Sequence, residues 1–67
     1  MSPQLIKALG QLAQGGITPE SMNTTVEQIA TASAGSTWQC EKDGKTMTLT
    51  KNENPSPDQE SYDVSWE

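Results

Sequence analysis

Alternation of apolar and polar residues is cleanest at the end of the chain. In Glu60-Ser61-Tyr62-Asp63-Val64-Ser65-Trp66-Glu67, Tyr62, Val64 and Trp66 share one face while Ser61, Asp63 and Ser65 share the other. That is the period of a half-buried strand. A second alternating stretch has Trp38 and Cys40 before Asp43-Gly44, and Met47 and Leu49 after it. Asp-Gly suits a two-residue type I′ turn, whose central positions both require positive φ. Such a turn sets Lys42 opposite Lys45, Cys40 opposite Met47 and Trp38 opposite Leu49. The turn and the hydrophobic pattern therefore specify one register independently. Strands are expected at about 36–42, 45–51 and 60–66. Pairing the third antiparallel to the second puts Leu49 near Tyr62, Met47 near Val64 and Trp66 beside Lys45, with the ammonium over the indole. Trp38, Cys40, Met47, Leu49, Tyr62, Val64 and Trp66 then lie on a single face of the sheet.

The first third of the chain changes period. Leu5, Leu9 and Leu12 recur at helical spacing, widened by Ile6, Ala8 and Ala13. Ser2-Pro3 supplies an N-cap and a favoured first residue. Gly15-Gly16 ends the helix, the first glycine as its left-handed C-cap. A helix over about 3–14 follows. Thr18-Pro19-Glu20 repeats this opening, and Met22, Val26 and Ile29 continue at i, i+4 and i+7. The preferred reading is one helix over 19–33, stopped by Ala34-Gly35. The competing reading takes Thr24 and Glu27 as a capping box and Asn23-Thr24-Thr25 as a poor helix interior. It places a turn at 19–22 and a helix from 25. The segment 52–59, with Pro55 and Pro57 and no apolar residue, reads as an exposed loop. The expected fold class is α+β: two short N-terminal helices on one face of a three-stranded antiparallel meander, in ααβββ order, forming a single small domain over 1–67.

Composition removes most chemistry from this frame. There is no His and one Cys. A Ser-His or Cys-His nucleophile pair is excluded, as is a Cys/His zinc site or an internal disulfide. Cys40 reads as a small buried hydrophobe. Gly15-Gly16 lacks the spacing and the following Lys-Ser/Thr of a phosphate loop. Glu41 and Asp43 read as a solvated turn rather than a catalytic pair. With 67 residues and 31% hydrophobic content, the core has little room for a ligand. The chain is expected not to be an enzyme and to need no cofactor. No apolar run exceeds two residues, so neither a signal peptide nor a membrane helix is expected, and the expected location is cytoplasmic.

Charge narrows the partners. The net charge is −5, with no Arg and four lysines: Lys7, Lys42, Lys45 and Lys51. Direct nucleic-acid binding and binding to anionic membrane both require clustered cations and are not expected. Seven of the nine acids lie in 41–67, and from residue 52 onward there are five acids and no base. Acidity of this kind ordinarily serves solubility and protects edge strands. It also suits a surface that engages a basic partner. The polar sheet face, rich in threonine, is ordinary solvated surface or a protein-contact surface. Trp66, on a predicted edge strand, is a core residue or a binding anchor.

The candidate partner-binding residues are Glu41, Asp43, Thr46, Thr48, Thr50, Glu53, Asp58, Glu60, Asp63 and Trp66. The function these readings favour is a small acidic, non-enzymatic protein-binding module. It would inhibit or adapt a larger protein or complex, in the sharpest version by offering a nucleic-acid-like negative surface to a basic groove. The alternative is a structural homo-oligomer, or a small subunit of a complex, that uses its edge strands and tryptophans.

Overall fold

The computed structural model describes residues 3–53 and 61–67. Helix α1 (Pro3–Gln14) is followed by a 3-10 turn (Pro19–Met22), helix α2 (Val26–Thr31), and strands β1 (Thr37–Lys42), β2 (Lys45–Lys51) and β3 (Tyr62–Trp66). The strands form one antiparallel sheet in the order β1-β2-β3. The arrangement is α+β in ααβββ order, with the helical segments covering one face of the meander. The expected Ser2 cap and most of the 52–59 loop lie outside the described residues.

Helix α1 buries Leu5, Ala8 and Leu12. It ends in a Schellman motif: the Ile17 amide donates to the Leu12 carbonyl and the Gly16 amide to the Ala13 carbonyl, each at 2.9 Å. The left-handed residue is Gly16, at φ +77°, rather than the first glycine as expected. Gly15 answers a different constraint. A Cβ there would sit 2.6 Å from Cζ2 of Trp66, so the missing side chain lets the indole lie against the helix end.

The single helix over 19–33 does not form. Asn23 adopts φ +61°, and its amide donates to the Glu20 carbonyl, closing the 3-10 turn. Asn tolerates this left-handed geometry better than other non-glycine residues. Helix α2 starts afresh through a capping box that is built on Thr25 and Gln28, not on Thr24 and Glu27. The Gln28 amide donates to Thr25 Oγ1, and the Thr25 amide to Gln28 Oε1, both at 3.1 Å. Thr24, one residue earlier, is buried and donates to Gln28 Oε1 instead.

The β1–β2 hairpin has the expected register, with Lys42 opposite Lys45, Cys40 opposite Met47 and Trp38 opposite Leu49. Asp43 and Gly44 take φ +53° and +77°, as a type I′ turn requires. The β2–β3 register is two residues away from expectation: Met47 faces Trp66, Leu49 faces Val64 and Lys51 faces Tyr62. A slip of two preserves which face each side chain occupies. In the observed register Tyr62 is buried beside Lys51, whose ammonium stands 6.0 Å from the ring centroid. The expected ammonium–indole pair of Lys45 and Trp66 is replaced by this one.

The core is Leu5, Ala8, Leu12, Ile17, Met22, Ile29, Met47, Leu49 and Tyr62. Trp38, Cys40 and Val64 are half-buried at its margins. Lys51 is the least expected member of the inner face. Its Nζ donates to the carbonyls of Ala32 (2.8 Å), Ala30 (3.0 Å) and Ile29 (3.4 Å). Those carbonyls lie in and just beyond the last turn of α2, where the Ile29 carbonyl also accepts the Ala32 amide and a cation offsets the helix dipole. Lys42 Nζ donates in the same way to the Gly16 carbonyl beyond α1, at 2.9 Å.

Candidate functional site: the outer face of the sheet

Strand alternation sends the other half of the sheet's side chains away from the helices. The two registers order them into rows: Thr37, Thr50 and Asp63; Gln39, Thr48 and Ser65; Glu41 and Thr46. Glu67 completes the last row. Its amide donates to the Thr46 carbonyl at 2.9 Å, and the Thr46 amide donates to its carbonyl at 2.8 Å. The central threonines are half-buried by their neighbours, while the flanking residues are exposed. Gln39 Nε2 donates to Thr48 Oγ1 at 3.3 Å across the middle row.

None of these positions carries a cation. Lys42, Lys45 and Lys51 belong to the inner-facing parity, and Lys7 is in α1. The outer face thus presents the Glu41 and Glu67 carboxylates on either side of Thr46, and the Asp63 carboxylate beside Thr50. Every side chain on it can accept a hydrogen bond. The Glu41–Thr46 end opens into a shallow depression of about 270 Å³ lined also by Gln39 and Cys40.

The expected candidates divide between regions. Glu41, Thr46, Thr48, Thr50 and Asp63 come together on the outer face. Asp43 sits at the exposed hairpin tip, and Glu53 lies beside Gly35 at the opposite end of the hairpin. Asp58 and Glu60 lie outside the described residues. Trp66 belongs to the inner side. Trp66 is 41% exposed as a residue and lines an open groove of about 340 Å³ with Gly15, Lys42, Asp43 and Lys45. Glu67 is the outer-face residue missing from the expected set, although alternation through Asp63 and Ser65 points to it.

No protein-family model, curated protein or solved structure matches this chain. Among the described residues, no group of three or more His, Cys, Asp or Glu is placed to hold a metal ion. No helix among them is long and apolar enough to cross a membrane. Burial raises the Tyr62 hydroxyl above its ordinary pKa, and Tyr62 faces the core, away from the polar surface.

Proposed function

We propose that this chain is a non-enzymatic protein-binding module that inhibits or recruits a larger protein by laying the outer sheet face against a basic surface. The observation that carries the reading is the unbroken field of hydroxyls, amide and carboxylates across three strands, with no lysine among them. Lysine and arginine side chains of a partner find acceptors at Glu41, Glu67 and Asp63, and the threonine hydroxyls between them accept the remaining donors. The net charge of −5 steers such a partner into contact before any short-range bond forms. In its sharpest form the face stands in for a phosphate backbone, and duplex DNA competes for the same groove.

Affinity capture with the immobilised protein, followed by binding measurements on the purified partner, tests this. Binding should weaken as salt rises and be lost in the combined variant Glu41→Lys, Asp63→Lys and Glu67→Lys. An interaction that ignores both ionic strength and these charge reversals rules the reading out.

A further inference from the structure

The Lys51 amide donates to the Ser36 carbonyl at 2.9 Å, so the even-numbered residues of β1 bond to β2. The amides and carbonyls of Thr37, Gln39 and Glu41 therefore point away from the sheet. Among the described residues, only the Cys40 thiol approaches any of them, at 3.7 Å from the Glu41 carbonyl. All three residues are exposed, and Trp38 and Cys40 beside them are only half-buried. This is an open edge with a strip of unfinished core along it.

We infer that this edge pairs with β1 of a second copy of the chain, antiparallel, with Cys40 opposite the partner's Cys40. Charge selects the register. Outward groups occur only at odd positions, so a symmetric pairing must be centred on a residue between Thr37 and Glu41. A centre at Glu41 sets two carboxylates against each other. A centre at Thr37 or Trp38 uses little more than the start of the strand. A centre at Gln39 leaves Glu41 against Thr37 and Lys42 against Ser36. A centre at Cys40 sets Gln39 against the partner's Glu41, amide to carboxylate, and Trp38 against the aliphatic stem of the partner's Lys42, whose ammonium stays on the Gly16 carbonyl of its own chain. Glu41 then faces a hydrogen-bond donor instead of a like charge, that pair occurs twice, and the half-buried Trp38 and Cys40 are covered. The two outer faces join into one six-stranded surface. The interface is small, so association is weak and readily reversible.

The position of Cys40 makes the register testable. Opposed residues at a non-hydrogen-bonded site have Cα atoms about 4.5 Å apart, within disulfide reach. Diamide, which takes up two electrons and two protons as the thiols join, should convert the native chain to a Cys40-linked dimer. Sedimentation equilibrium on the reduced protein should show reversible dimers between micromolar and millimolar concentration. Gln39→Lys, which faces Glu41 of the partner twice, should tighten association roughly tenfold, and Gln39→Glu should weaken it by a similar factor. Cross-linking rates should follow the same order. Gln39→Pro removes an outward amide that β2 does not use, so it should abolish dimers; if it also unfolds the chain, the two charge variants still decide. Salt should tighten the dimer, because it screens two negative chains, whereas it weakens binding to a basic partner. The two readings thus fail separately. A reduced chain that stays monomeric at millimolar concentration overturns the interface. Weakening by Gln39→Lys, or cross-linking indifferent to residue 39, overturns the register.

Discussion

On the inner face of the sheet, Met47 and Leu49 are fully buried, and even the lysines are engaged: Lys51 closes α2 and Lys42 reaches the carbonyl beyond α1. One residue along the same strand, Thr46, Thr48 and Thr50 stand half-buried among exposed polar neighbours. The backbone and its hydrogen bonds are common to both faces. What differs is the alternative available to each side chain. An inner residue that is shortened leaves a cavity or an unpaired carbonyl, whereas an outer residue that is shortened leaves water. The inner face therefore holds the fold, and the outer face is free to be selected for something else.

The sharpest way to break that contrast is to delete matched side chains. Leu49→Ala should cost about 3 kcal/mol of unfolding free energy, as for other fully buried leucines, measured by urea denaturation. A cost below about 1 kcal/mol would show that the core relaxes around the loss and that the faces are less different than their burial implies. Lys51→Met, which keeps the aliphatic stem and removes the ammonium from three carbonyls, should cost about 2 kcal/mol and lower the helical circular dichroism. Gly15→Ala should cost about 1 kcal/mol, since the new Cβ displaces an indole that is free to move outward. A red shift in Trp66 fluorescence should accompany it.

Alkaline pH probes the inner face without a deletion. Burial raises the Tyr62 pKa in the folded chain, so the unfolded chain ionises first. The stability linked to this group is complete below pH about 10 and falls as pH rises through the folded value. Tyr62→Phe should remove that part of the alkaline loss, seen by comparing unfolding midpoints of the two proteins across that range. The smallest effect belongs to the outer face. Glu41→Gln, Asp63→Asn and Glu67→Gln together should change stability by less than about 0.5 kcal/mol, while reducing affinity for a basic partner. A large stability change in this variant would mean that the carboxylates serve the fold.

These two faces were legible in the sequence to different depths. Parity alone assigns every strand residue to a face, which is why the outer surface could be anticipated from Thr46, Thr48, Thr50 and Asp63. The hairpin register was legible because Asp43-Gly44 and the alternation around it are local and agree. The β3 register was not, because the connection from Asn52 to Ser61 imposes no turn rule; burial of Tyr62 beside Lys51 decides it, two residues from the simplest pairing. The break in the second helical segment was present in Asn23-Thr24-Thr25. With two adjacent threonines able to cap, only the buried position of Thr24 decides for Thr25 and Gln28. The Lys51 contacts escape sequence reasoning altogether, since they join residues 19 to 22 positions apart and no periodicity signals them.

Those contacts also bear on the order of events when the chain folds. Helix α2 has six residues, too few to persist alone. The ammonium that terminates it arrives only when β2 is in place. The hairpin, closed by a local turn, has no such dependence, and α1 has its own glycine stop as well as the Lys42 contact. Helix α2 is thus expected to form late. A weakened Lys51 should leave folding rates almost unchanged and appear as faster unfolding.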